Sequence, residues 1–146
     1  MTLVIAQTRD IALCRLLRRV VFIEEQGVSE ADEVDDLDDE AIHLLACDEG
    51  RGVGTARLLV SGDTGKIGRV CVLPEGRGRG IGAGLIRAGV AVFRAKGGLA
   101  TVMLGAQTHA LGFYEALGFQ PVGEIYDDAG IPHREMILLI GSTRSE

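Results

Sequence analysis

Apolar residues recur at helical spacing in the first part of the chain. One helical face carries them three or four positions apart, at Ile11, Cys14, Leu17 and Val21. This period predicts a helix, and Thr8 or Asp10 can cap its start. Gly27 predicts its end at Gln26. We expect a bend near residues 21–24, because β-branched and bulky side chains weaken helix formation there.

The rest of the chain shows short β-favouring runs divided by turn residues. They predict strands over residues 3–6, 43–48, 53–60, 66–72, 99–104, 119–123 and 133–140. The second to fourth of these follow one another closely and predict an antiparallel meander. A helix after Gly82, running to about Ala95, joins the fourth strand to the fifth, which is typical of a parallel pair. We also expect a short helix over residues 107–117 and a disordered tail over residues 141–146.

Composition indicates a packed globular protein. The 146 residues are 47% hydrophobic, which is enough for one domain over residues 1–146 with its own core. The net charge of −6 disfavours binding to nucleic acid or to an anionic membrane. No apolar run approaches the roughly 18 residues of a membrane-spanning helix, and the first residues lack the pattern of a signal peptide.

The cysteines add information on the compartment. Cys14, Cys47 and Cys71 are odd in number, far apart and surrounded by apolar residues. This pattern predicts reduced thiols in a cytoplasmic protein, with neither a disulfide framework nor a metal site. A nucleophilic role for Cys71 is the disfavoured alternative, since its apolar run suits packing better.

Residues 69–84, RVCVLPEGRGRGIGAG, form the most informative stretch. A short β-favouring run is broken at Pro74, glycines follow, and helix-forming residues begin near Gly82. The free amides and the dipole of a helix start favour phosphate, and glycines let a ligand approach the backbone. The alternative is a surface turn without a ligand.

Three phosphate-binding patterns compete for this stretch. Gly78-x-Gly80-x-x-Ala83 fits the dinucleotide fingerprint, but no Asp or Glu that could hold a ribose occurs between Glu75 and Glu115. A P-loop requires a Gly-Lys-Ser/Thr ending, which is missing. The third pattern is R-x-x-G-x-G, formed by Arg77, Gly80 and Gly82.

Acidic residues dominate residues 30–40. Two interpretations stay open, a solvated loop and a negative surface that attracts a cationic acceptor. A calcium-binding loop is disfavoured, because the run lacks the glycine of an EF-hand turn. On the preceding helix, Arg15, Arg18 and Arg19 share a face that the pattern predicts to be solvated.

A second informative stretch, AQTHALGFYEALGF, covers residues 106–119. With GRVCVLPEGRGRGIG and GIPHREM, it makes the chain resemble the GCN5-related N-acetyltransferases (GNAT), and VFIEEQGV and DDLDDEAIHLLA indicate their ElaA-like branch. The chain departs from the common pattern at Gly76, where many relatives have a large residue, and at Gln107, where many have Asn. The resemblance implies an α/β fold with a mixed, largely antiparallel central sheet and helices on both faces.

The resemblance also implies an activity, the transfer of an acetyl group from acetyl-coenzyme A to a primary amine by direct attack. With the acidic region, it favours a cationic small molecule or a peptide amine as acceptor. The residues implied to bind the cofactor through turn amides or side chains are Arg77, Gly78, Arg79, Gly80, Ile81, Gly82, Ala83 and Gln107. The backbone of Val70, Cys71 and Val72 is implied to pair with the pantetheine arm, and one amide there to polarise the thioester carbonyl.

Tyr114 occupies the position of the family's general acid, where it would contact the cofactor and protonate the departing thiolate. The general base is left open among Glu24, Glu25, His43, His109 and His133, of which Glu24, Glu25 and His133 are preferred. Two other classes of function stay open, a non-catalytic acyl-coenzyme A sensor and a nucleotide-binding regulator. Apolar residues near the C-terminus also leave a homodimer open.

Overall fold

A computed structural model describes residues 2–141. Its helices and strands are β1 Leu3–Thr8, α1 Ile11–Arg18, α2 Glu30–Glu33, β2 Ile42–Asp48, β3 Arg51–Ser61, β4 Thr64–Val72, α3 Ile81–Lys96, β5 Thr101–Gln107, α4 Leu111–Glu115, β6 Gln120–Asp128 and β7 Ile131–Leu139. A π-helical segment follows α1 over Arg19–Glu25, and short 3₁₀ turns lie at Asp38–Glu40, Pro74–Gly76 and Thr108–Ala110.

One seven-stranded sheet carries the fold, in the order β1-β2-β3-β4-β5-β7-β6. Neighbouring strands are antiparallel except β4 and β5, which are parallel and joined by α3. The predicted mixed sheet, the meander and the crossover are confirmed. Among the described residues, no helix is long and apolar enough to cross a membrane.

The last hairpin is longer than predicted, because β6 continues past Gly123 to Asp128. Its final residues pair with the start of β7 around Ala129 and Gly130, whose φ angles are 54° and 81°. Two successive residues with positive φ match the right-handed twist of the flanking strands, so the strands stay paired up to the turn. Of the predicted tail, residues 142–146 lie outside the described residues.

The larger core lies between α3 and the sheet. α3 buries Leu85, Ile86 and Phe93 against strands β1 to β4. Gly65 in β4 allows the close approach, since a Cβ there would lie 2.7 Å from the Phe93 ring. Burial of a side chain such as Phe93 contributes about 1.5–3 kcal/mol. This packing fixes the start of α3 relative to the end of β4.

A smaller core lies under α1. Leu17 and Val21 pack on Cys71, whereas the adjacent Val72 packs in the α3 core. Successive residues of a strand point to opposite faces of the sheet. Helices therefore cover both faces, as predicted.

The first helix differs from the prediction in two ways. It is α-helical only to Arg18, and the chain then follows a π-helical path before Gly27, which has a φ of 76°. Arg15 and Arg19 are exposed, but Arg18 is only 1% exposed. The prediction of a solvated arginine face is therefore wrong at Arg18, which long-range ion pairs hold inside the protein.

Candidate active site

Strands β4 and β5 separate soon after they pair. Their ladder joins Thr64–Lys66 to Thr101–Met103 and has no further pairs among the described residues. Past Lys66, β4 therefore presents a free edge towards β5. The amide of Leu73 donates to Val53 of β3 at 2.8 Å, so strand alternation directs the N–H and C=O of Val72 away from β3 and into the gap.

A glycine-rich turn follows this edge. Gly78 and Gly80 have φ angles of 78° and 77°, and no atom lies within 4 Å of a Cβ built on either. Gly80 caps the 16-residue helix α3, whose first amides, from Ile81, Gly82 and Ala83, have no carbonyl inside the helix to bind. Positive φ, open space and free amides fit the diphosphate group of a coenzyme A thioester.

Two arginines fix this turn. Arg77 forms two hydrogen bonds of 2.6 Å with the carboxylate of Glu25, and its Nε donates to the Val72 carbonyl at 3.0 Å. Arg79 pairs with the Asp48 carboxylate. The Arg77 side chain thus ties the turn to the end of β4 and to the helical segment after α1.

These contacts change the interpretation of two carboxylates predicted as bases. Hydrogen bonds from Arg77 hold the pKa of Glu25 below its ordinary value, which makes Glu25 a weaker base. Glu24 is exposed and lies 3.8 Å from Arg19. Neither carboxylate lines the cleft described next, so the geometry does not support either as the base.

A cleft of about 420 Å³ opens beside the gap between β4 and β5. Its walls come from the segment after α1, from β4 and β5, from α4 and from the β6–β7 hairpin. Val70, Gln107, Tyr114 and His133 line it together. The fold therefore brings these four predicted site residues to one cavity.

Tyr114 lies in the aromatic part of this cleft. Its ring contacts Phe113 and Phe119 edge-on, at centroid distances of 4.9 and 6.4 Å. Burial raises the pKa of its hydroxyl, so the group keeps its proton at neutral pH. Within residues 2–141 the hydroxyl has no hydrogen-bond partner, and a proton held in this way is available to a ligand.

The three histidines have different surroundings. The Nδ1 of His133 lies 2.7 Å from the Ile131 carbonyl; because a carbonyl only accepts, Nδ1 donates and Nε2 is left as an acceptor in the neutral ring. His43 is buried and donates from Nε2 to the Asp38 carbonyl at 2.9 Å. His109 is exposed beside Gln107. Of the three, His133 alone combines a cleft position with a defined acceptor nitrogen.

The Gln107 amide is held at both ends. Its Nε2 donates to Gln26 at 3.3 Å, and its Oε1 lies 2.6 Å from His109. Gln107 belongs to the end of β5 and Gln26 to the end of the helical segment, so the pair links the two sides of the cleft. The predicted side-chain contact to a cofactor would use the second N–H of Nε2 or the second lone pair of Oε1.

Three carboxylates of the acidic stretch belong neither to a solvated loop nor to a simple negative surface. Glu33 and Asp38 are buried, and Asp35 is partly buried. Their partners, at 2.7–3.3 Å, are Arg15, Arg18, Arg57 and Arg69. Both predicted interpretations fail for these three carboxylates, because opposite charges from α1, β3 and β4 compensate them inside the protein.

The cleft contains polar residues that the sequence did not single out. Tyr126 stacks on His133 at a centroid distance of 5.9 Å. Burial, and then the nearby Glu135 and Asp128, raise the pKa of Tyr126. His133 and Glu135 stand two positions apart in β7. Because side chains two positions apart in a strand lie on the same face, the sequence could have indicated that Glu135 lies beside His133.

The thiol of Cys71 is buried, which disfavours a reactive thiolate. Burial raises its pKa to about 12, and burial also raises the pKa of Cys14. All three cysteines are free. At the site, Cys71 can therefore contribute its backbone but not a thiolate.

Comparisons with known proteins agree with this geometry. Residues 21–140 match the profile of the acetyltransferase (GNAT) domain family. Protein ElaA of Escherichia coli is 37% identical over 121 residues, which cover 80% of this chain and 79% of ElaA. The Bacillus subtilis protein described as the uncharacterized N-acetyltransferase YjcF is 37% identical over 122 residues, which cover 83% of this chain and 86% of YjcF.

Solved structures extend the comparison. The crystal structure of E. coli ElaA superposes with a TM-score of 0.77 at 27% identity and covers 94% of this chain and 99% of that chain. An acyl-CoA N-acyltransferase from Pseudomonas aeruginosa superposes with a TM-score of 0.81 at 28% identity, with the same coverage of 94% and 99%. The chain therefore belongs to the GNAT acetyltransferases, in their ElaA-like branch, and is an acyltransferase that takes its acyl group from an acyl-coenzyme A donor.

Proposed function

We propose that this enzyme transfers an acetyl group from acetyl-coenzyme A to a primary amine on a cationic acceptor. The observation that carries the proposal is the free edge of β4, which runs from the cleft to the glycine turn. When bound, acetyl-coenzyme A supplies the acetyl group as an activated thioester. The amides of Gly78 to Ala83 would hold its pyrophosphate, and the edge over Val70–Val72 would receive its pantetheine arm.

The strand edge also has a chemical role in this proposal. An amide of β4 that faces the gap donates a hydrogen bond to the acyl carbonyl as negative charge develops on the oxygen. One such donor is worth about 2.7–4 kcal/mol in acyl transfer. The rigid β3–β4 pairing holds the amide in place before the reaction, so little reorganisation is needed.

Two side chains handle protons. Nε2 of His133 accepts the proton of the attacking ammonium, directly or through water, since Nδ1 is fixed as a donor to Ile131. Tyr114, kept protonated by burial, donates a proton to the leaving sulfur. Glu24 and Glu25 are not retained as bases, because both lie in contact with arginines outside the cleft.

The acceptor is assigned from the outer wall of the cleft. Tyr126, Asp128 and Glu135 lie together on the last hairpin, and an aromatic face with carboxylates favours a cation. Lys66 also lines the cleft. The preference for a cationic acceptor is therefore proposed for the wall formed by the last hairpin and not for the whole cleft. The acidic stretch suggested the same class of acceptor, but its three paired carboxylates cannot carry the argument.

The remaining expectations concern the setting of the protein. Three free thiols, two of them buried, support a reducing compartment such as the cytoplasm. Exposed apolar side chains at Ile125 and Leu139 leave a homodimer as an expectation that sedimentation would check.

A thermal-shift titration tests the donor site. At 100 times Kd, acetyl-coenzyme A should stabilise the protein by about 2.7 kcal/mol, whereas NAD and ATP should give smaller shifts. Ala83→Glu places a carboxylate in the first turn of α3, which suits the helix dipole but repels pyrophosphate. It should abolish the shift without lowering the Tm of the free protein.

Ala91→Glu is the matched control, because it adds the same charge at an exposed position later in α3. It should keep the shift. No stabilisation of the wild type at millimolar acetyl-coenzyme A would overturn the proposed donor. Thiol release with a panel of amines then separates an enzyme from a sensor, and preference for anionic acceptors at low salt would contradict the assigned acceptor class.

A further inference from the structure

Arg69 has a backbone conformation that is unusual inside a strand. Its φ angle is 51°, in the left-handed region that favours glycine. The other non-glycine residues of the described chain in this region are Glu49 and Ala129, which begin tight hairpin turns where positive φ is expected. At Arg69 the same strain lies in β4, beside the cleft.

This conformation belongs to a β-bulge. The register pairs on its two sides are Thr55 with Cys71 and Arg57 with Gly68. Two steps along β3 thus match three steps along β4, and the extra residue lies at the bulge. Ile67 packs towards α3 before the bulge and Val72 does so after it, so the bulge reverses the faces of the strand. It thereby sets which amides of the following residues face the gap.

One carboxylate joins the two strands at this bulge. Asp35 accepts hydrogen bonds of 2.7 and 2.9 Å from Arg57 in β3, and one of 3.3 Å from Arg69 in β4. Arg69 also donates to the backbone carbonyl of Glu33 at 3.0 Å, and its Nε lies 3.3 Å from the Glu33 carboxylate.

The choice of arginine at this position is informative. A glycine would adopt the φ angle of residue 69 without strain. An arginine there keeps the strain, and its contacts with Asp35 and Glu33 offset it. The arginine side chain therefore makes contacts at the bulge that a glycine would lack.

We propose that Arg69, held by Asp35 and Glu33, is a positioning residue for acyl transfer. Its ion pairs fix the bulge, and the bulge orients the amides of β4 that polarise the acyl carbonyl. The inference rests on the proposed use of this strand edge by the acyl donor, and it assigns a function to two carboxylates of the acidic stretch.

Carbon-13 NMR of acetyl-coenzyme A labelled at the thioester carbonyl tests the inference without an acceptor amine. A hydrogen bond to the carbonyl moves its resonance downfield, so the wild-type complex should show a downfield shift from the free thioester. Arg69→Ala and Asp35→Asn should lose at least about half of this shift. The Kd of acetyl-coenzyme A should change less than about threefold, because the glycine turn that holds the pyrophosphate is intact.

Arg69→Gly separates the backbone from the side chain, since it relieves the strain but removes the ion pairs. It should lose the carbonyl shift as Arg69→Ala does, and Arg69→Lys should recover part of it. Glu49→Gly is the matched control, because it relieves the same φ strain in the turn between β2 and β3. Its carbonyl shift should equal that of the wild type.

The outcomes distinguish this inference from the proposed function. If Arg69→Gly and Asp35→Asn show the same carbonyl shift as the wild type, the positioning role is overturned and the donor site is left intact. If Arg69→Ala does not fold, as judged by circular dichroism, the isosteric Asp35→Asn decides. Binding of acetyl-coenzyme A to the wild type without any carbonyl shift would remove the role of the β4 edge, and with it the inference. Failure of the wild type to bind would overturn the proposed function first.

Discussion

Asp38 is the centre of the buried ion network, so Asp38→Asn is the substitution with the largest predicted cost in stability. The residue is 1% exposed, and its carboxylate accepts hydrogen bonds from Arg18 at 3.0 Å, Arg15 at 2.8 Å and Arg57 at 3.1 Å. Burial by itself raises the pKa of Asp38, but the hydrogen bonds from the arginines outweigh it and hold that pKa well below 3.8. Asparagine keeps the shape and loses the charge.

The magnitude follows from the charges left behind. The guanidinium groups of the network are those of Arg15, Arg18, Arg57 and Arg69, and its carboxylates are those of Glu33, Asp35 and Asp38. Loss of one partner from a buried ion pair costs about 3–5 kcal/mol. At roughly 2–4 °C per kcal/mol for a domain of this size, the Tm should fall by about 6–20 °C.

Urea unfolding followed by far-ultraviolet circular dichroism measures the change, and it suits a chain without tryptophan. Asp39→Asn is the matched control, because Asp39 is exposed and has no ion pair within residues 2–141. It should change the free energy of unfolding by less than about 0.5 kcal/mol. If the free energies of unfolding of Asp38→Asn and Asp39→Asn differ by less than that margin, the buried ion pairs add no net stability and the prediction is refuted.

The difference in unfolding free energy between wild type and Asp38→Asn should depend on pH. The folded state holds the pKa of Asp38 below its unfolded value, so the contribution of the ionised carboxylate is complete above the unfolded pKa. It is lost as the pH falls through the folded pKa. The difference in unfolding free energy between wild type and Asp38→Asn should therefore be full at neutral pH and shrink below about pH 4. A difference that grows on acidification contradicts this account.

Three further predictions concern the active site and the core. Tyr114→Phe should lower kcat about 100-fold or more in a thiol-release assay with little change in the Kd of acetyl-coenzyme A; equal kcat would exclude the acid role. With its pKa raised to about 12, Cys71 should have a thiolate fraction of about 10⁻⁴ at pH 8. Ellman's reagent should therefore modify the partly exposed Cys47 first. Fast modification of Cys71 would contradict its burial. Gly65→Ala should destabilise the protein by about 1–3 kcal/mol in urea unfolding, because its Cβ would lie 2.7 Å from the Phe93 ring. Adding Phe93→Leu to this variant should lessen the cost of Gly65→Ala. If the two substitutions have additive effects on the free energy of unfolding, the contact is not the cause.

Local patterns anticipated most of the architecture. Helical and strand periods, with glycine at the turns, predicted the sheet, the crossover through α3 and the glycine turn at its start. These features depend on residues close in sequence, so a short window carries the information. The late extension of β6 was missed, because its pairing depends on β7.

The sequence predicted candidate site residues but not which of them share a surface. Tyr114, Gln107 and His133 do meet in one cleft, but the candidate bases Glu24 and Glu25 face arginines elsewhere. A motif indicates which residue types are present. It does not determine the direction in which a carboxylate on an irregular helix points.

The sequence by itself determined the order of helices and strands, the glycine-rich turn and the family, since all three depend on patterns within short segments. Only the tertiary structure decided which charges meet. Arg69 and Asp35 are separated by 34 positions, Arg77 and Glu25 by 52, and Gln107 and Gln26 by 81. The sequence does not indicate which of these residues pair with one another. The fold brings each pair together. Burial strengthens the partly buried Arg69–Asp35 pair, whereas the other two pairs are exposed. The three pairs help to compensate the acidic stretch, fix the glycine turn and link the walls of the cleft.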